Sequence, residues 1–272
     1  MTGTVNNKAY IELLKRALTR YPLKEEEQGL LRDLEGMDQN LISEIVRCLT
    51  PSPVPTEPPC DLEARAVGRD WPAEAETMIG LHRLENLQQC IVRVLEEGIP
   101  GDLIETGVWR GGACIFMRGV LKAFGDNERT VWVADSFQGL PHPDPARYPA
   151  DTDDPHWIFS ELAVSLETVR GNFNRYGLLD DQVRFLAGWF RDTLPHAPVG
   201  QLALLRVDGD MYESTIVALG SLYPKLSPGG YVIVDDYGAF ASCRQAVADF
   251  RSEFGIQAEL QPIDWTGVFW QV

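Results

Sequence analysis

The sequence predicts an α/β protein: a doubly wound, Rossmann-like sheet of seven strands, mostly parallel, closing on a terminal antiparallel hairpin and preceded by an N-terminal helical arm. Three observations predict it. From about residue 80 onward, short apolar or β-branched runs alternate with amphipathic stretches at helical spacing. Strands separated by helices pair in parallel, with helices on both faces of the sheet. The last two runs, AELQPID and GVFWQV, have no helix between them, which makes one closing strand antiparallel.

Each element follows from its residues. Residues 8–20 put Tyr10, Leu13, Leu14, Ala17 and Leu18 on one helical face. A second amphipathic stretch covers about 24–49. PSPVPTEPP at 51–59 cannot be a helix interior or a central strand, so it reads as an extended linker. Residues 1–60 thus form an arm and Pro-rich linker, and 61–272 the main domain. The arm can pack on its own domain or on a second subunit. In the main domain, helices are expected over 82–97, 111–125, 160–176, 212–225 and 241–254. Strands are expected over 102–107, 130–136, 183–188, 202–210 and within 227–238, followed by the hairpin.

Composition narrows the function. Lys and Arg number 24 against 40 Asp and Glu, a formal net charge of −16. Phosphate backbones need clustered cations, so nucleic-acid binding is not expected, nor docking on an anionic membrane. No stretch is long and apolar enough for a membrane span, and no secretory signal is visible. Five scattered cysteines (48, 60, 90, 114 and 243) without a CxxC fit reduced thiols, hence a cytoplasmic protein.

In open parallel sheets the ligand sits beyond the carboxyl ends of the strands. Here four strands end in acids: Glu105, Asp135, Asp208 and the pair Asp235–Asp236. ETGVWRGG at 105–112 brings glycines to the first strand–helix turn but is not GxGxxG. Asp135, at the end of the next strand, suits a ribose contact or a turn. Asp208, Asp235 and Asp236 on neighbouring strand ends repel one another unless protonated or neutralised. Hard oxygen donors of this kind suit Mg²⁺, with Ca²⁺ or Mn²⁺ as substitutes. Asp210 reads as a helix N-cap rather than a ligand.

Seven strands with a terminal hairpin match the class I methyltransferase variant of the doubly wound fold. TMIGLHRLENLQ (77–88), DLIETGVWRGGACIFMRGVLKAFG (102–125), VWVADSFQGLP (131–141) and LLRVDGDMYESTIVALGSLYPKLSPGGYVIVDDYG (204–238) together resemble the macrocin O-methyltransferase family, sugar O-methyltransferases of antibiotic biosynthesis. The resemblance covers roughly residues 70–272. It implies Mg²⁺-dependent transfer of a methyl group from S-adenosylmethionine to a sugar hydroxyl of a glycosylated small molecule, and a homodimer or higher homo-oligomer. By that resemblance Asp208, Asp235 and Asp236 hold the metal and Asp208 is also the general base. Glu105 and Gly107 lie near the methionine moiety, Thr77 and Met78 fold over the cofactor, Asp135 and Ser136 meet the ribose, and Gly188 and Trp189 form the adenine pocket.

The chemistry is consistent with this. A sugar hydroxyl is a weak acid, so a cation that binds two neighbouring hydroxyls and a nearby base both assist. Metal coordination lowers the basicity of Asp208, so His142 and His156 compete for the base role, although their loop positions favour surface histidines. Segment 140–159 leaves the ligand edge as a long loop and is expected to act as a lid. A catechol would satisfy the metal equally well, and a non-catalytic binding protein on this fold is the other alternative. A nicotinamide dehydrogenase is disfavoured by the missing GxGxxG and by the hairpin.

Overall fold

The computed structural model of the chain describes residues 5–23, 25–34, 39–49, 61–70 and 73–272. The first helix, α1, spans Val5–Thr19, followed by a 3₁₀ helix over Glu25–Leu34, α2 over Gln39–Leu49 and a short α3 over Leu62–Ala66. The single stretch expected over 24–49 is thus two helices. Gly29 lies inside it, and three successive glutamates open it, both unfavourable to a long α-helix. The Pro-rich linker expected at 51–59 lies outside the described residues.

Helix and strand then alternate: α4 (Gly80–Glu96), β1 (Asp102–Thr106), α5 (Gly112–Phe124), β2 (Val131–Asp135), α6 (Leu166–Arg175), β3 (Val183–Ala187), α7 (Phe190–Thr193), β4 (Leu202–Val207), α8 (Tyr212–Leu222), β5 (Leu226–Val234), α9 (Ala241–Glu253), β6 (Gln261–Pro262) and β7 (Val268–Gln271). The sheet order is β3-β2-β1-β4-β5-β7-β6. Strands β1 to β5 pair in parallel, and β7 runs antiparallel to both β5 and β6. The order reverses at β1, so the β1–β4 junction is where such a sheet opens a crevice.

Alternating side chains divide the core into two layers. Leu103, Val131, Val133, Tyr231 and Ile233 face α1, α4 and α5, whereas Ile104, Ala134, Leu205, Val232 and Val234 face α8 and α9. Each fully buried large aliphatic side chain contributes about 1.5–3 kcal/mol. The face predicted for the first helix is the face α1 buries: Tyr10, Leu13, Leu14, Ala17 and Leu18 are fully buried in the first layer. Of the two packings open to the arm, α1 takes the one on its own chain, crossing α5 at Gly119. A Cβ there would run into Leu14 and the Tyr10 hydroxyl.

One buried ion cluster locks this arrangement. Glu76, 2% exposed, accepts a fork of two hydrogen bonds from Arg20 at 2.8 and 2.9 Å, one from Arg175 at 2.5 Å and one from the Tyr176 hydroxyl at 2.9 Å. The amides of Glu76 and Thr77 both donate to the Leu18 carbonyl. The end of α1 is thereby tied to the segment that enters α4. Among the described residues, no helix is long and apolar enough to cross a membrane.

Candidate active site

The strand ends of β1 and β4 approach so closely that only glycine fits between them. Gly107 has φ +88°, and a Cβ on it would collide with the Asp208 carbonyl. Three larger residues at this same edge are also left-handed: Trp109 after β1, Phe137 after β2 and Asp210 after β4, with φ of 47°, 57° and 58°. Such a conformation costs roughly 1–2 kcal/mol per residue. Strain of this kind gathers at functional edges when the surrounding structure fixes it.

Behind the edge lies a buried arginine network. Arg206, 1% exposed on β4, donates to Glu105, to Asp208 at 2.6 Å and to Asp235. Arg83 on α4 donates to the other oxygen of Asp235 and to Asp264 at 3.0 Å. Glu105 also accepts the Cys114 thiol at 2.8 Å. Burial nonetheless pushes Glu105 up to about 7, against the pull of Arg206. A buried arginine inside the apolar run LALLRV was the available sequence signal for this network, since such a charge must be paired. Arg83 offered none, because its partner Asp235 is far along the chain.

The carboxylates that converge are Asp208, Asp210 and Asp236, with oxygens all within 4.8 Å of one another. This differs from the expectation in two ways. Asp235 lines the same cavity, but both its oxygens are taken by guanidinium groups, so it is not one of the converging acids. Asp210 is not a helix cap. The N-cap of α8 is Met211, without a side-chain cap bond, and the left-handed backbone at Asp210 brings its carboxyl to that of Asp236. Its amide donates to Asp236 at 3.1 Å. Desolvation, then the charges of Asp208 and Asp235, raise Asp210 to about 8; Asp208 and Asp236 are raised by burial and by the same mutual repulsion. Three oxygen donors short of compensating charge are the donor set of a hard divalent cation, and among the described residues no His or Cys joins them.

These acids lie in a cavity of about 650 Å³ whose wall also carries Thr77, Met78, Glu105, Gly107 and Asp135. A smaller adjoining pocket shares Gly107, Asp135 and Asp208 with it and adds Ser136 and Trp189. Asp135 is partly committed: its oxygens accept the amides of Val108 at 2.8 Å and Phe137 at 2.6 Å. Ser136 shapes the following turn by donating to the Gly139 carbonyl at 2.7 Å. Gly188, at φ 136°, makes the turn after β3 that carries Trp189 into the smaller pocket.

The loop expected as a lid does leave this edge, but it is pinned down. Asp151, 1% exposed, accepts the amides of Tyr212 at 2.7 Å and Glu213 at 2.9 Å, so it supplies the N-terminal cap of α8 that Asp210 does not. Further along, Trp109 donates to the Glu161 carbonyl at 2.9 Å. The pinned loop sends His156, Phe159 and Glu161 into the cavity wall. His142 instead stacks on Trp157, ring centroids 4.5 Å apart. His156 is therefore not the surface histidine its loop position suggested.

Comparison with known proteins gives a consistent answer. The family model described as macrocin O-methyltransferase matches residues 7–272. The 8-demethyl-8-(2,3-dimethoxy-alpha-L-rhamnosyl)-tetracenomycin-C 4'-O-methyltransferase of Streptomyces olivaceus is 59% identical over 212 residues, 78% of this chain and 81% of that one. The demethyldecarbamoylnovobiocin O-methyltransferase of Streptomyces niveus is 59% identical over 210 residues, 77% and 80% of the two chains. The solved structure of the O-methyltransferase NovP superposes with a TM-score of 0.75 at 58% identity, over 77% of this chain and 87% of that one. A strand-end carboxylate edge on a doubly wound sheet, and a family match over almost the whole chain, lead to one assignment: this chain belongs to the macrocin O-methyltransferase family.

Proposed function

We propose that this O-methyltransferase moves the methyl group of S-adenosylmethionine to a sugar hydroxyl of a glycosylated natural product, with a divalent cation, Mg²⁺ first, on Asp208, Asp210 and Asp236. The observation that carries this reading is the convergence of those three carboxyl groups in the wall of a cavity of about 650 Å³. The relatives support the acceptor class, since the Streptomyces olivaceus protein is named for a rhamnosyl tetracenomycin.

S-adenosylmethionine supplies the methyl group as an electrophilic sulfonium, and the cation supplies positive charge that makes a hydroxyl at its side more acidic. The chain's own residues do the rest. Arg206 fixes one oxygen of Asp208 and holds Glu105, so the acid end and the cofactor end of the cavity share one rigid support. Glu105 and Gly107 take the methionine end, under Thr77 and Met78. Asp135 and Ser136 take the ribose, and Gly188 and Trp189 the adenine. For all of these but Gly188, a place in the walls of two contiguous pockets supports the role. Orienting the acceptor against the methyl group is worth as much as acidifying it, because alignment turns a bimolecular encounter into a local one.

The test is turnover with S-adenosylmethionine and demethyldecarbamoylnovobiocin or the rhamnosyl tetracenomycin, each with Mg²⁺ and with chelator. A methylated sugar formed only with the cation is expected. Turnover of a catechol with none of either glycoside, or equal turnover in chelator, would overturn the acceptor or the metal part respectively.

A further inference from the structure

Segment 73–79 has no helix or strand of its own, yet Thr77 and Met78 within it line the cavity. Without a ladder of backbone bonds, its place is set by whatever satisfies its polar groups. Two parts of the chain do so. The first is the turn after β1. Arg110 donates to the carbonyls of Ala73 at 2.6 Å and Ala75 at 2.8 Å, and the Gly112 amide donates to the Glu76 carbonyl at 3.0 Å. A Cβ on Gly112 would run into that carbonyl and into Thr77.

The second is the end of α1. The Leu18 carbonyl accepts the amides of Glu76 at 3.0 Å and Thr77 at 3.3 Å, and Arg20 forks onto the Glu76 carboxylate. Arg20 stands just past the helix with φ 52°, in the left-handed region where a helix end favours glycine. Its backbone groups do what a glycine there would do. Its amide donates to the Ala17 carbonyl at 3.3 Å, and its carbonyl accepts Arg65 at 3.0 Å. What arginine adds at this strained position is the guanidinium on Glu76. None of Leu18, Arg20 and Glu76 lines the cavity.

We propose that Arg20 of the N-terminal arm is a positioning residue for the cofactor: through Glu76 it holds Thr77 and Met78 where they meet S-adenosylmethionine. The inference rests on the cofactor role given to Thr77 and Met78 above. Loss of the fork leaves Glu76 with Arg175 and Tyr176, so the pieces stay joined while segment 73–79 gains other positions. Cofactor affinity then falls by the fraction of time the segment is in place. The acids at the ends of β4 and β5 do not depend on this fork, so cation and acceptor binding are unaffected.

Arg20→Gly tests this, because it removes the guanidinium and suits the left-handed helix end. Calorimetric titration of S-adenosylhomocysteine is expected to give a Kd about 10-fold weaker than that of the wild type. Arg20→Lys, which restores the charge without the fork, should fall between the two. In turnover of whichever of the two glycosides the wild type methylates, KM for S-adenosylmethionine should rise by the same factor. Both kcat and the acceptor KM should hold, a split that lost stability alone does not produce. Leu222→Ala, in the other core layer, is the destabilised control. It should lower Tm and leave S-adenosylhomocysteine affinity unchanged. Equal affinity in the wild type and Arg20→Gly, or an equal fall in Leu222→Ala, overturns the role of Arg20. Failure of the wild type to bind S-adenosylhomocysteine overturns instead the cofactor reading beneath it.

Discussion

Two buried acid clusters in this molecule differ in how their charge is balanced. Around Glu76 one carboxylate meets two guanidinium groups and a hydroxyl. Around Asp208, Asp210 and Asp236 three carboxyl groups face one another, and the guanidinium bonded to Asp208, that of Arg206, is shared with Glu105 and Asp235. A saturated buried acid joins pieces of structure. An unsaturated one stores repulsion until something positive arrives. The contrast separates a structural lock from a binding site more cleanly than burial does, since both clusters are largely out of solvent.

Breaking the saturated cluster is expected to have the largest effect on stability. Glu76→Leu leaves Arg20 buried without its partner and should cost about 3–5 kcal/mol, read by urea denaturation. Asp210→Asn should do the opposite. It relieves repulsion, so thermal stability in chelator stays or rises, while turnover with Mg²⁺ falls about 10²–10³-fold. If Asp210→Asn destabilised the chelated protein as Glu76→Leu does, the two clusters would not differ as argued.

The pH dependence sharpens the same contrast. Asp210 is raised to about 8 in the folded chain, above its unfolded value, so between the two values the folded state holds a proton the unfolded state lacks. In chelator, stability is therefore greatest at low pH within that window and falls as pH rises toward about 8, by about 1.4 kcal/mol per pH unit for one such group. Mg²⁺ competes with those protons, so the rise in Tm it produces should grow with pH. Scanning calorimetry at several pH values, with and without Mg²⁺, measures both. The smallest expected effect is that of Asp151→Ala, which removes the cap of α8 at a cost of about 1 kcal/mol and is read as a small drop in Tm.

Much of the scaffold was legible in the sequence. The five parallel strands, the closing hairpin and the buried face of α1 follow from apolar periodicity alone. So did the acids at the strand ends, because the topology of an open sheet gathers them at one edge. What the sequence hid was the direction each acid takes. Asp235 and Asp236 are chain neighbours, yet one turns to Arg83 and Arg206 and the other to Asp210. That choice depends on Arg83, which lies on a helix far away in the chain. Asp210 followed a pattern typical of a cap, but its left-handed backbone and the intervention of Asp151 are tertiary facts. His156 sat in a proline-rich loop whose path is set by that same clamp.

The most direct test of the central claim is calorimetric titration of Mg²⁺ into the S-adenosylhomocysteine complex of the wild type and of Asp210→Asn. One saturable site in the wild type, lost in the variant, is the predicted result. Absence of Mg²⁺ binding in the wild type, or equal binding in both proteins, would contradict it.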